Sequence, residues 1–351
     1  MEVLKTKKIT YFLGAGATID VAPDVANGSD LLKKAFQSFP QDKEVKSLKD
    51  LIKHVFKKDD VAKEADLWNL INFVIQREVS LSINYNYEIM QDLRNNLLSL
   101  LIRELDKSLK SIKKRTHNIF INKLKETRST IISTNYDIVI DNALYNEMRN
   151  YNYGTKIRHI VSGEYGADEG LRRPMLFMPG VSFNAGELSL LKIHGSLNWL
   201  YCPKCDEVDV SIGEKGVIKT LTGLYCSNKD CTSKYQPLLI TPTMFKDYEN
   251  RVIKETWDLA EEKLSNSDWL VFIGYSLPEE DYYIRCLLLK ARANQAIDFQ
   301  KVFVVEQKEE TADKTNLKNV KERYDSLFGR VDFLPIGFEE FANNIDKYLV
   351  Y

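Results

Sequence analysis

Leu190-Leu191-Lys192-Ile193-His194-Gly195-Ser196-Leu197-Asn198-Trp199 runs an apolar strand into a His-Gly pair, and Cys202-x2-Cys205 opens directly behind it. A histidine that closes a strand is, alone, equally well explained as a packed structural residue. Three other segments share its form: Gly14-Ala15-Gly16-Ala17, Ser133-Thr134-Asn135-Tyr136-Asp137 and Gly274-Tyr275-Ser276-Leu277. Each is a polar or glycine-rich turn behind an apolar run. A parallel α/β sheet collects its ligand contacts at such turns, beyond the carboxyl ends of its strands.

The bulk composition narrows the class. The chain has 351 residues, 44% hydrophobic and 28% charged, a globular balance with room for one large domain plus an insert. Its 49 basic and 50 acidic side chains leave a net charge of -1, which argues against a strongly basic nucleic-acid binder. No apolar run is long enough for a membrane-spanning helix, and Met1 to Lys5 lead into a strand without a signal-peptide core. Four of the five cysteines fall in one window, with Cys286 apart. That spacing suits a metal in a reducing compartment better than a disulfide framework, and the expected location is cytoplasmic.

Outward from the His-Gly stretch, strands and helices alternate. Lys8 to Leu13 reads as a strand ended by Gly14-Ala15-Gly16-Ala17-Thr18. That turn suits either a phosphate at the next helix or a tight structural bend, since Ile19 replaces the third glycine of G-x-G-x-x-G. Ser29-Asp30 offers a cap for a helix beginning at Leu31. From 41 to 128 glycine is absent, and Leu67, Leu70, Ile71 and Val74 share a helical stripe. So do Leu93, Leu97, Leu101, Leu105 and Ile112, which predicts a helical insert whose stripes serve an internal core or an oligomer interface. Thr130 to Thr134 reads as a strand and Ile138 to Leu144 as a helix, with Asn135 and Asp137 either capping it or facing the Gly14 cleft. Residues 151–187 give no assignable pattern.

Cys202-x2-Cys205, twenty residues, then Cys226-x4-Cys231 form two knuckles, and four thiolates in a tetrahedron are a structural zinc set with no open position for substrate. Leu238 to Thr241 reads as a strand and Val252 to Leu264 as a helix. Trp269 to Ile273 is apolar throughout, as a central parallel strand would be. A helix from about 280 to 293 and the strand Lys301 to Val305 follow, closed by Glu306, either an exposed strand end or a partner for a ribose diol. A further helix, a brief strand at Val331 to Leu334 and a closing helix from Phe338 to Leu349 complete the chain. The expected fold is α/β: a Rossmann-like parallel sheet with a helical insert (41–128) and a zinc-ribbon module (200–236).

With these turns in this order, and four cysteines behind the His-Gly, the chain resembles the sirtuin-like superfamily from Ile9 to about Gln307, the insert excepted. The resemblance implies that residues 1–40 and 129–351 bind NAD. It makes Gly14, Ala15, Gly16 and Thr18, with Asp24 beyond them, the phosphate turn, and Gly274 and Ser276 a second one. It sets Asn135 and Asp137 at the nicotinamide and its ribose, His194 as general base, Glu306 at the adenosine ribose, and a structural zinc on Cys202, Cys205, Cys226 and Cys231. The chain departs from the deacylating members in two places. Their Phe-Gly-Glu-like peptide-binding segment is replaced by Leu239-Ile240-Thr241-Pro242-Thr243-Met244-Phe245-Lys246-Asp247, and the arginine of their glycine-rich loop is missing, Val25-Ala26 following Pro23-Asp24.

Asn-Tyr-Asp, His-Gly-Ser and the large insert are more similar to bacterial sirtuin-like effectors of antiphage defence. That resemblance implies an NAD hydrolase cleaving NAD to nicotinamide and ADP-ribose. It also implies activation by homo-oligomeric assembly or by a partner such as a separately encoded ATPase or a nucleic-acid-guided protein. The alternatives are an NAD-dependent protein deacylase and a non-catalytic subunit that binds NAD or ADP-ribose.

Overall fold

The computed structural model describes residues 5–25, 30–59, 64–110, 112, 114–125, 127–148, 151–168, 171–177, 188–211, 221, 223–241, 249–279, 281–295 and 298–349. Side chains are described throughout these except at 162–168, 171 and 177. Ser29 of the proposed cap, Ala26 and the segment 242–248 lie outside them; Asp30 stands at the cap position of the helix Leu31–Ser38 but makes no side-chain cap hydrogen bond.

Six strands form one all-parallel sheet: β1 (Ile9–Leu13), β2 (Thr130–Ser133), β5 (Ser189–Lys192), β9 (Trp269–Ile273), β10 (Lys301–Val305) and β11 (Asp332–Leu334). Their spatial order is β11-β10-β9-β1-β2-β5. Taken in chain order these are strands 6-5-4-1-2-3, the doubly wound arrangement, and its direction reverses between β1 and β9. β1 and β9 are buried along their whole length, which is why both read as unbroken apolar runs. Phe12, Ile132, Leu191 and Phe272 enter a core shared with Ala260 and Leu264 of the helix Arg251–Ser265 and Leu287 of the helix Tyr282–Ala293.

A second sheet, in the order β4-β3-β7-β6-β8, is built from β3 (Ile157–Asp168), β4 (Leu171–Phe177), β6 (Gly195–Cys202), β7 (Glu207–Ser211) and β8 (Gln236–Leu239). Only β3 and β7 run parallel in it. The span that gave no pattern in sequence thus supplies a hairpin, and Leu238 and Leu239 belong to this sheet rather than to the parallel one. Gly195 joins the sheets. Its φ is +80°, and a Cβ there would lie 1.9 Å from the Leu238 carbonyl oxygen, so the chain can turn from β5 into β6 at this point only with glycine. The closing helix is two, Phe338–Asn343 and Ile345–Tyr348, separated at Asn344.

By internal contacts the chain divides into two compact units. Both sheets belong to the first, which comprises Met1–Val21, Lys113–Leu239 and Glu249–Tyr351. The second comprises Ala22–Ile112 and Ile240–Tyr248 and contains the helices Leu31–Ser38, Lys43–Phe56, Glu64–Gln76 and Tyr87–Leu109. Its stripes are mostly consumed internally: Leu67, Ile71, Val74, Leu93, Leu97, Leu101 and Leu105 are buried, whereas Ile112 is exposed and lies beyond the helix. Glu64 holds two of its helices, accepting from Leu32 N–H at 3.0 Å and Trp68 Nε1–H at 3.2 Å. Among the described residues no helix is long and apolar enough to cross a membrane.

Candidate active site at the carboxyl edge of the parallel sheet

The turns singled out in sequence meet where the strand order reverses. Gly14 N–H donates to the Ile273 carbonyl at 3.0 Å and Gly16 N–H to the Gly274 carbonyl at 2.9 Å. A Cβ on Gly14 would sit 2.5 Å from the Gly274 oxygen, and one on Gly274, whose φ is +58°, 2.4 Å from the Ala17 nitrogen. Both glycines are therefore required by backbone-on-backbone packing of the first turn against the fourth. Ala15 opens the short helix Ala15–Ile19 and is exposed.

Thr18, on the same helix, points inward and is 2% exposed. Its hydroxyl accepts from Asn135 Nδ2 at 3.1 Å and donates to Asp137 Oδ2 at 2.7 Å. Asn135 Nδ2 also donates to the Gly14 carbonyl at 2.9 Å. Both amide protons are thus occupied, which fixes the orientation of the amide. Asn135 Oδ1 makes no hydrogen bond among the described residues and stands ready to accept one. Asp137 is 6% exposed; its second oxygen accepts from Val139 N–H at 2.9 Å, the capping role that its residue type allows.

His194 follows β5 by two residues, is 6% exposed, and its ring lies 6.4 Å from that of Tyr136. The strand beneath it is tied to the Asn-Tyr-Asp turn through backbone: Ile193 N–H donates to the Ser133 carbonyl at 3.2 Å and Leu197 N–H to the Tyr136 carbonyl at 2.9 Å. The other histidines do not compete for its role. His159 lies at the cysteine cluster and His54 in the helical unit. Burial, reinforced by the charge of Lys192, pushes the His117 imidazole down to about 3 and keeps it neutral.

Beyond β9 and β10 a cavity of about 410 Å³ opens, lined by Gly16, Asp20, Lys114, Gly274, Glu306 and Lys308 among others. Glu306 Oε1 is buried without a hydrogen-bond partner among the described residues. Burial pushes its carboxyl up to about 7, opposed by the Gln307 backbone N–H and the Arg323 charge. Ser276 contributes its carbonyl, which accepts from Arg323 Nε at 2.9 Å. Asp24 is exposed and belongs to the other compact unit, where its carbonyl accepts from Lys34.

The four cysteines converge. All four Sγ atoms lie within 4.8 Å of one another, with Cys202 to Cys231 at 3.7 Å and Cys205 to Cys226 at 3.8 Å. Zn–S bonds of about 2.3 Å in a tetrahedron require S···S separations of about 3.8 Å, so the set fits zinc; a disulfide would need about 2 Å. Arg158 donates to Cys226 Sγ at 3.2 Å and to Asp209, while Arg173 donates to the carbonyls of Cys226, Asn228 and Cys231. This outer shell orients the second knuckle. Its arginines lie in the segment without assignable pattern, and spacing gave no sign of them.

Lys192 and Asp141 also escaped the sequence reading. The signal was present as a lysine inside an apolar strand and an acid one turn after Asp137. Lys192 Nζ, fully buried, donates to Asp141 Oδ2 at 3.2 Å and to the Asp137 carbonyl at 2.5 Å.

No protein-family model and no curated protein matches the sequence. Solved structures do. One is Sir2 with an inhibitor, 2'-O-acetyl-ADP-ribose and a deacetylated p53 peptide, at 13% identity and a TM-score of 0.42, covering 97% of this chain and 93% of that one. A second is Sir2 with a p53 peptide and NAD+, at 13% and 0.43, covering 99% and 95%. A third describes the mechanism and regulation of Sir2 enzymes, at 14% and 0.42, covering 99% and 94%. The solved structures to which this chain is similar are, in these three cases, Sir2 structures.

Proposed function

We propose that the protein is a sirtuin-like NAD hydrolase that cleaves NAD to nicotinamide and ADP-ribose. The observation that carries this reading is the Thr18-centred network. It binds the glycine turn to the Asn-Tyr-Asp turn, fixes the Asn135 amide and leaves its carbonyl oxygen open beside the strand that leads to His194.

Breaking the bond between nicotinamide and ribose C1′ releases neutral nicotinamide and leaves an oxocarbenium-like sugar. Water adds to C1′ and its proton passes to a base, so NAD+ and water give nicotinamide, ADP-ribose and a proton. The protein's tasks are to hold the dinucleotide, to position one water and to accept that proton. Asn135 Oδ1 accepts from the water or from a ribose hydroxyl, and His194 takes the proton, the general-base role that an imidazole most often fills. Asp137, held by Thr18 and Val139 N–H, faces the carboxamide. Gly14, Ala15, Gly16, Gly274 and Ser276 flank the pyrophosphate, and Glu306 receives the adenosine ribose in the 410 Å³ cavity. Zinc on the four cysteines is architectural, since a closed tetrahedron has no site for substrate.

An NAD hydrolase acting in antiphage defence has to stay silent until triggered, which calls for assembly or an activating partner such as an ATPase or a nucleic-acid-guided protein. Among the described residues the helical unit exposes Phe73, Val79, Ile83, Ile89 and Ile112, large apolar side chains available to an oligomeric contact. A deacylase reading uses the same residues and differs in requiring an acyl-lysine peptide. The test is turnover by His194→Ala and Asn135→Ala: each lowers nicotinamide release by at least about a hundredfold with an unchanged melting temperature. Near-normal turnover in either variant overturns the assignment.

A further inference from the structure

We propose that the buried Lys192–Asp141 pair is a clamp that holds the Asn-Tyr-Asp turn in register with the strand carrying His194. The inference rests on the hydrolase reading for its kinetic consequence, but not for its structural one.

Lys192 is 0% exposed in the last position of β5, and Asp141 is 2% exposed in the first turn of the helix Val139–Glu147. Lys192 Nζ reaches both ends of the turn-to-helix junction, the Asp137 carbonyl at 2.5 Å and Asp141 Oδ2 at 3.2 Å. The other oxygen of Asp141 accepts from Tyr153 Oη–H at 2.6 Å and from Asn198 Nδ2 at 3.3 Å. Asn198 lies in β6, four residues beyond His194. One carboxylate and one ammonium therefore join the helix that follows Asp137, the strand before His194 and the strand after it.

Folding alone does not call for this. An ion pair in the core of a sheet loses solvation on both partners, and apolar replacement of such pairs is frequently neutral or stabilising. The Asp137 carbonyl has a different need. It lies between Asn135 and the helix, where a shift of about 1 Å would separate Asn135 Oδ1 from the water presented to His194, a displacement of the size that costs about a hundredfold in rate. A cation with three donors on a strand that is itself fixed is suited to anchoring that carbonyl.

The test replaces the pair rather than one member, because a lone buried charge would unfold the site. Lys192→Met with Asp141→Asn removes the charges and the bond to the Asp137 carbonyl, while the new amide oxygen at position 141 still accepts from the Tyr153 hydroxyl. The double variant is expected to melt within a few degrees of the parent and to bind NAD with a Kd within threefold. Its kcat falls 10- to 100-fold while KM stays within threefold. Hydrogen exchange followed by mass spectrometry on peptides covering 134–138 and 193–198 accelerates at least tenfold, because the Leu197-to-Tyr136 and Ile193-to-Ser133 bonds lose their lock. A double variant with parental kcat and parental exchange overturns the proposal and leaves the pair a packing element. If the parent releases no nicotinamide even when assembled at high concentration, the hydrolase reading fails, and the exchange measurement still decides the clamp.

Discussion

Thr18→Val removes one hydroxyl and changes almost nothing in shape, and the structure gives its cost bond by bond. The hydroxyl donates to the Asp137 carboxylate at 2.7 Å and accepts from Asn135 Nδ2 at 3.1 Å, with Thr18 and Asp137 buried and Asn135 half-buried. A hydrogen bond to a charged group contributes about 1.5–3 kcal/mol and a neutral one about 1 kcal/mol. Asp137 keeps Val139 N–H, and Asn135 keeps the Gly14 carbonyl, so both side chains remain partly held. The expected loss of stability is therefore about 2.5–4 kcal/mol, read from urea melts. The expected effect on catalysis is separate. With one of its two acceptors gone, the Asn135 amide is free to turn its NH2 group toward the water position. Loss of about 1.4–2.8 kcal/mol of orientation corresponds to a 10- to 100-fold fall in kcat. Thr18→Ser keeps the hydroxyl and is expected to retain most of the turnover. Nicotinamide release by chromatography, at saturating NAD, measures all three proteins. Parental kcat in Thr18→Val, or an equal loss in Thr18→Ser, would refute the reasoning.

Three further outcomes follow from the same geometry. Gly274→Ala places a Cβ 2.4 Å from the Ala17 nitrogen and 2.5 Å from the Gly16 carbonyl carbon, so it abolishes NAD binding and destabilises well beyond the control Gly329→Ala. That control has φ +79° with no atom within 4 Å of the added Cβ, and costs about 1–2 kcal/mol for the left-handed backbone alone. Glu306, raised to about 7 by burial, must lose its proton to accept from two ribose hydroxyls, so KM for NAD falls about tenfold from pH 6 to pH 8 and becomes flat in Glu306→Gln. For stability the sign is the reverse: the folded protein keeps a proton that the unfolded chain releases, so this contribution is lost as pH rises through about 7, and Glu306→Gln removes that slope in melts. The purified protein is expected to carry one zinc per chain, and its removal by a chelator lowers the melting temperature; a metal-free protein of identical stability would contradict the cysteine assignment.

How much of this was legible in sequence follows from what each element buries. β1, β9 and β10 are enclosed on both faces, so their composition declares them, and the turns behind β1 and β9 carry the glycines that close packing requires. The cysteines declared themselves by spacing, because a tetrahedron of thiolates leaves few arrangements open. The second sheet was opaque. Its strands β3 and β4 pair in a hairpin with a shifted register, and β6 looked like the tail of the His-Gly motif when it is a strand in its own right. The site was legible as a set of turns but not as a network. That Thr18 faces Asn135 and Asp137 instead of solvent depends on the direction of a five-residue helix. The Lys192–Asp141 pair joins residues 51 apart in sequence, which no local period reports. In the helical unit, stripes that suited a core or an interface equally proved to be mostly core, with Leu70 half-buried and Ile112 exposed.

The most direct measurement of the central claim is incubation of the protein with NAD alone and with NAD plus an acyl-lysine peptide, with products identified by mass. Because the reading calls for assembly or a partner, the protein is assayed up to high concentration. The account predicts nicotinamide and unmodified ADP-ribose in equal amounts from NAD alone, with no dependence on peptide and none in His194→Ala. Nicotinamide released only with peptide, accompanied by O-acyl-ADP-ribose, would contradict it.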